Sequence, residues 1–213
     1  MKRLSIIMSL LVMGFSAFSC SQQMSGQSDV GWVMLLDGSN PKTLDNWSRI
    51  GDANWRAEEG AIVADKGKGG HLVSKNSYKD FQIRAEFWAV TETQSGIFIR
   101  ISDVNKIGSA TAYEANIYDL RPELKYGTAA IVDVAAVPVP LIYKAGGEKG
   151  AGKWNVMEVT AKGDELTVVF NGVVTVHARD SRFKQGPFSL QFGNLPKAPG
   201  GPIKWRKVQV REL

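Results

Sequence analysis

ELTVVFNGVVTVHA, residues 165–178, decides the fold. Two runs rich in valine and threonine are joined by Asn171-Gly172, and both turn residues tolerate positive φ, so the pair reads as a β-hairpin closed by a type I′ turn. Further out, FQIRAEFWAV (81–90) alternates Phe81, Ile83, Ala85 and Phe87 with Gln82, Arg84, Glu86 and Trp88. A period of two is what a strand shows when one face is buried and the other is not. GIFIRI (96–101), YEANIY (113–118) and IKWRKVQVREL (203–213) continue in this style, separated by turn signals such as EEG (58–60), KGKGG (66–70), KGDE (162–165) and KAPGGP (197–202). No long stretch after the N-terminus carries a helical period. The expected fold class is therefore all-β, an antiparallel sandwich or barrel.

The N-terminus reads separately. MKRLSIIMSLLVMGFSAFSC (1–20) sets Lys2 and Arg3 before an apolar run from Leu4 to Phe18 and reaches Ser19-Cys20, the layout of a secretory signal. The run is too short and wrongly flanked for a spanning helix. Cys20, the only cysteine, stands where such a signal is cut and resembles the lipobox cysteine of bacterial lipoproteins, although Phe18 is bulky where that motif prefers a small residue. Ordinary cleavage leaving a free thiol is the alternative. The expected organisation is a signal over 1–19, a lipidated Cys20 with a polar tether to residue 30, and one domain over 31–213. That organisation implies a periplasmic or outer-membrane lipoprotein held at the membrane by its anchor, and Ser21 leans toward the outer membrane. With no second cysteine, the domain has no internal disulfide and depends on its core.

Charge excludes one class of partner. The 26 basic residues fall to 24 without Lys2 and Arg3, against 21 acidic residues, which leaves +3. This excess is mild and scattered, so the chain is not expected to bind nucleic acid.

Parity assigns faces. If Ile97, Ile99 and Ile101 are buried, Phe98 and Arg100 lie on the other face; if Tyr113, Ala115 and Ile117 are buried, Glu114, Asn116 and Tyr118 do. Together with Arg84, Glu86 and Trp88, and if the strands are neighbours in one sheet, these form a polar face with aromatic patches. Such a face suits sugars: rings stack on C–H faces while carboxylates, amides and guanidinium groups bond hydroxyls. Antiparallel sheets with one solvated face look polar for no functional reason as well.

The order WVMLLDGSNPKTLDNW, NWRAEEGAIVADKGKGGHLVSKNSYKDFQIRAEFWA, SGIFIR, YEANIYD, KYG, GKWNVMEVTAKGDELTVVFNGVVTV, GPFSLQF and IKWRKVQVREL resembles the 3-keto-disaccharide hydrolase family from Gly31 to Leu213. The resemblance implies a concanavalin A-like jelly-roll sandwich with an active surface on its concave sheet. It also implies a glycoside or oligosaccharide substrate whose sugar has been oxidised at C3 by an upstream oxidoreductase.

A ketone at C3 acidifies the C2 hydrogen, so a base can form an enolate, the C1 substituent can leave, and water can add to the enone. Such a site needs a base, a cation or donors at the ketone oxygen, and an acid near the leaving oxygen. The resemblance points to Glu114 as base or metal ligand, to Asp119 as the acid closing the strand, and to Arg100 as the cation that steadies an oxyanion or holds Glu114 charged. Structural readings stand beside these: a Glu114–Arg100 cross-strand pair, and Asp119 merely starting a turn. The parity of Asp119 is opposite to that of Glu114. The sequence makes no cofactor certain; a divalent ion on these carboxylates is an alternative source of charge, though no motif has metal-ligand spacing strong enough to assert it.

His71, Glu86, Trp88, Asn116, Lys125, Tyr126 and Asn194 are the expected substrate contacts, while His177 and the corner Trp154-Asn155 are expected to be structural. Relatives commonly carry Gln-x-His-Gly where this chain reads Gln191-Phe192-Gly193-Asn194, so the histidine is missing and Asn194 is a candidate substitute. Two functions remain open from sequence: an enzyme cleaving 3-keto-glycosides, and a non-catalytic carbohydrate-binding module on the same sandwich.

Overall fold

The computed structural model describes residues 30–138 and 152–213. The expected signal, Cys20 and the tether up to residue 29 lie outside the described residues. Gly31–Leu213 forms one compact unit.

The hairpin that opened the sequence reading is present. β10 (Glu165–Phe170) and β11 (Val173–Arg179) pair antiparallel, with Asn171 at φ 47° and Gly172 at φ 82° in the turn. The long alternating strand β6 (Phe81–Ala89) buries Phe81, Ile83, Ala85 and Phe87 almost completely. Burial of each such large side chain contributes about 1.5–3 kcal/mol, so this strand anchors the core.

Two antiparallel sheets make a sandwich. The larger runs β11–β10–β9–β6–β13–β4–β3, where β9 is Trp154–Lys162, β13 is Ile203–Glu212, β4 is Ala61–Ala64 and β3 is Arg56–Glu58; β1 (Val33–Asp37) also pairs with β13. The smaller runs β2–β5–β12–β7–β8, with β2 Trp47–Gly51, β5 Gly70–Ser74, β12 Ser189–Phe192, β7 Ser95–Ile99 and β8 Tyr113–Ile117. Between them lies one apolar core containing Leu72, Ile97, Tyr113, Phe188 and Leu190 together with Phe87, Met157, Val168 and Trp205. This is the antiparallel sandwich of concanavalin A-like type that the strand pattern and the resemblance imply.

The sheet assignment corrects one expectation. β6 belongs to the larger sheet, whereas β7 and β8 belong to the smaller, so Arg84, Glu86 and Trp88 do not share a face with Glu114. Parity gave the facing of the residues within β6, β7 and β8 correctly, failing just past β7 at Arg100 and Ile101, but strands adjacent in sequence were separated by the crossover between sheets.

Candidate active site

The outward face of the smaller sheet is organised in cross-strand rows. Glu114 on β8 pairs with Phe98, Phe98 with Ser189, Ser189 with Val73, and Val73 with Ser48. In the next row Asn116 pairs with Gly96, while His71 lies between Gln191 and Ile50; Gln191, one residue beyond the Leu190–Ile97 pair, stands beside Gly96. Gly96 therefore leaves a hollow in the middle of a polar row. The Glu114 side chain lies over it: a Cβ on Gly96 would sit 3.2 Å from both Cγ and Oε1 of Glu114.

The first row is roofed by apolar side chains. Val73, Phe98, Ile101 and Ala112 form a second buried cluster, with Ile50 and Ile107 packed against it. The chain after β7 supplies much of this roof, because Arg100 adopts φ 52° and reverses the strand's parity. Ile101 thereby joins Phe98 on the outward side, and the segment 102–111 closes on itself through Ser102 and Thr111.

Burial beside this roof sets the electrostatics. It pushes the Glu114 carboxyl up to about 7; the charge of Arg121 opposes the shift and that of Asp133 adds to it. It pushes His71 down to about 4, so the imidazole is neutral at pH 7. His71 Nδ1 and Ser189 Oγ are hydrogen-bonded at 3.0 Å, and the ring meets Phe98 edge-on at 5.2 Å.

Several polar atoms around the hollow are buried without hydrogen-bond partners. Asn116 is 1% exposed; its Nδ2 donates to the Tyr126 carbonyl at 2.7 Å, which fixes the amide, and its Oδ1 has no donor. Gln191 Oε1 and Arg121 Nε are likewise unpartnered. Burying a polar group without a partner costs about 1–3 kcal/mol, so these three atoms are candidates for hydrogen bonds to a ligand.

The other expected site residues fall elsewhere. Arg100 corrects the sequence reading: it is 1% exposed and turned away from Glu114. Its guanidinium donates to the carbonyls of Lys79, Gly163 and Phe183 and to Asp80 Oδ1, at 2.6–3.2 Å. The left-handed backbone, rare outside glycine, defeats the parity rule at this residue. Glu86 and Trp88 lie on the outward face of the larger sheet, Glu86 paired with Arg206 and Trp88 beneath the Lys204 ammonium at 5.0 Å. Asp119 accepts from Thr128 Oγ1 at 2.6 Å and lines a small cavity with Phe87, Asn155 and Phe170, residues of the larger sheet. It follows the core parity of Ile117 and does not join Glu114.

Lys125 is exposed above the Tyr126 ring, and Tyr126 packs on the core while its carbonyl holds Asn116. Asn194 ties its loop together, donating from Nδ2 to the Gly67 carbonyl and accepting the Gly200 N–H at Oδ1. His177 is exposed opposite Thr167, and Asn155 accepts from Asn171 Nδ2 at the hairpin corner. Gln191, Gly96, Ser189 and Arg121 escaped the sequence reading. Alternation in SLQF, with Leu190 and Phe192 buried, marks Ser189 and Gln191 as outward; a glycine inside a strand marks Gly96. Arg121 lies in irregular chain and has no such signal.

The residues do not form a cation site. Among the described residues no group of three or more His, Cys, Asp or Glu gathers, and the one carboxylate in the hollow has an arginine near it. No chemical step is assigned to a metal here.

A recessed, hydrogen-bonding face on one sheet of a lectin-like antiparallel sandwich is the design of a carbohydrate-related domain. The chain belongs to the 3-keto-alpha-glucoside-1,2-lyase-like domain family, whose sequence profile matches residues 31–211. Comparison with curated proteins finds no match. Among solved structures, two proposed glycosyl hydrolases of Parabacteroides distasonis superpose with TM-scores of 0.66 and 0.63 at 16% and 18% identity. The first alignment covers 86% of this chain and 94% of that one, and the second 85% and 99%. The carbohydrate-binding module CBM66 of Bacillus subtilis aligns over 85% of this chain and 96% of its own, with a TM-score of 0.55 and 14% identity. At these identities the likeness is one of fold.

Proposed function

We propose that this protein cleaves the glycosidic bond of 3-keto-glycosides, 3-keto-disaccharides among them, with Glu114 as the base. The observation that carries the reading is the Glu114 carboxyl, held over the Gly96 hollow at a pKa of about 7. A general base works best when its pKa is near the operating pH.

The carboxylate takes the C2 proton, and the C–H pair becomes the C2–C3 double bond of an enolate with its charge on the C3 oxygen. That charge returns through C2 to expel the C1 substituent, which leaves with the C1–O pair and takes up a proton. Glu114, now protonated, can return that proton to the leaving oxygen. Water adding across the resulting C1–C2 double bond turns the elimination into a net hydrolysis. Neutral His71, three strands from Glu114 and so roughly 14 Å away at the backbone, lies where the far end of the glycoside would rest. The membrane anchor at Cys20, the envelope location and the upstream 3-oxidoreductase belong to the same proposal and rest on the sequence reading.

Incubating purified protein with a 3-keto-disaccharide and with its unoxidised parent tests this. Sugar release from the ketone alone is the expected result. Release from neither, with saturable binding retained, would make the domain a carbohydrate-binding module; equal release from both would make it a conventional glycosidase.

A further inference from the structure

Arg121 is not accounted for by the fold. It is half-buried on the segment that leaves β8, and its Nε finds no acceptor. That segment is held firmly. Thr128 Oγ1 accepts the Tyr118 N–H, the chain returns along the edge of β8 with Asn116 bonded to Ala129 and Ala130, and Val132 N–H donates to the Glu114 carbonyl. A guanidinium in such a setting normally finds carboxylates or carbonyls, as Arg100 does. The Glu114 carboxyl feels the charge of Arg121, yet the two close no ion pair. The base and the donor are thus electrostatic neighbours that no hydrogen bond or ion pair joins.

The donors and acceptors around the hollow are also sorted. Asn116 Oδ1 and Gln191 Oε1, flanking Gly96, are acceptors in want of donors; Arg121 is a donor in want of an acceptor. A fully hydroxylated sugar offers hydroxyls all round, each able to donate. Oxidation at C3 turns one of these hydroxyls into an oxygen that can only accept, next to hydroxyls that donate, while the ring and glycosidic oxygens are acceptors in both sugars.

We propose that Arg121 is a catalytic residue that binds the ketone oxygen of the oxidised sugar, while Asn116 and Gln191 accept from the neighbouring hydroxyls. This rests on the proposed reaction and adds to it the group that recognises oxidation. When the C2 proton leaves, charge grows on the oxygen that Arg121 holds, so the contact strengthens from ground state to transition state.

The test separates recognition from base chemistry. In Glu114→Gln protein, expected to bind without turnover, calorimetric titration compares a 3-keto-disaccharide with its parent. The ketone is expected to bind more tightly, and adding Arg121→Gln is expected to abolish most of that preference. With Glu114 intact, Arg121→Gln is expected to lower kcat roughly 10²–10³-fold, the scale for removing one oxyanion donor, and Arg121→Lys to restore part of it. A ketone preference unchanged in Arg121→Gln, or a kcat within threefold of wild type, would overturn the assignment while leaving Glu114 as base. Full turnover in Glu114→Gln alone would instead remove the base. A thermal melt of each variant checks that the fold is retained.

Discussion

The two outward faces of the sandwich both carry polar and aromatic side chains and bond them differently. On the larger sheet Arg84 pairs with Glu158, Arg206 with Glu86 and Arg211 with Gln82. The same guanidiniums lie over Trp32 and Trp154, and Lys204 lies over Trp88. The charged and amide side chains of that face are paired with one another, and the indole N–H of Trp32 is left without an acceptor. On the smaller sheet a glutamate, two amides and an arginine stand around a glycine with oxygens and a nitrogen unbonded. Polar and aromatic residues occur on both faces; what distinguishes the smaller sheet is that charged and amide side chains there are left with unfinished hydrogen bonding. The same contrast separates two arginines, Arg100 with four acceptors and Arg121 with an orphaned Nε.

The strongest way to break this comparison is Glu114→Gln. Turnover of a 3-keto-disaccharide should fall about 10³-fold, near 4 kcal/mol of transition-state stabilisation, with the melting curve preserved; retained activity would remove the functional face. Arg100→Met should act first on stability. Stranding the Lys79, Gly163 and Phe183 carbonyls is expected to cost about 2–4 kcal/mol of stability in denaturant titration, and an unchanged midpoint would show that the arginine is not the staple described.

Gly96→Ala places a methyl against the Glu114 carboxyl without demanding a special backbone. A roughly 10–100-fold loss of kcat/KM is expected from so small a displacement of a base, with little change in melting.

The pH profile sharpens the same point. A base must be ionised, so kcat/KM should fall about tenfold per unit below pH 7. Linkage has a definite sign. The folded carboxyl holds its proton more tightly than the unfolded one at 4.5, so the stability tied to protonation is lost as pH rises from 4.5 through about 7. Glu114→Gln should therefore melt higher than wild type at pH 8 and lose that advantage by pH 4. His71 acts oppositely, adding stability between about 4 and 6.5 as pH rises; it is present in both proteins and cancels in their difference. Smallest of all, Glu86→Gln or Trp88→Ala should leave kcat/KM within about twofold, because surface changes away from a site have small effects; a larger loss would return the other face to the chemistry.

The fold was largely legible. Asn171-Gly172 and the alternation of β6 are local signals, and both appear in the structure where the sequence put them. Glu114 and Asn116 were legible as outward neighbours for the same reason. What was not legible depended on contacts distant in sequence. Whether β6 lies beside β7 is settled by pairing with β9 and β13, more than sixty residues away. The fate of Arg100 turns on one backbone angle that a non-glycine side chain disfavours, and Arg121 sits in irregular chain with no period to betray its direction.

The left-handed step at Arg100 reaches further than its hydrogen bonds. It sends Ile101 to the outer side, and the loop that follows excludes water from the neighbourhood of Glu114. Relaxing that step would rehydrate the carboxyl and let it drift toward the acidity of a free glutamate, weakening it as a base at neutral pH. Under the proposed reaction, an arginine remote from the sugar would thus set how basic Glu114 is, and its substitution is expected to shift the acid limb of the rate profile.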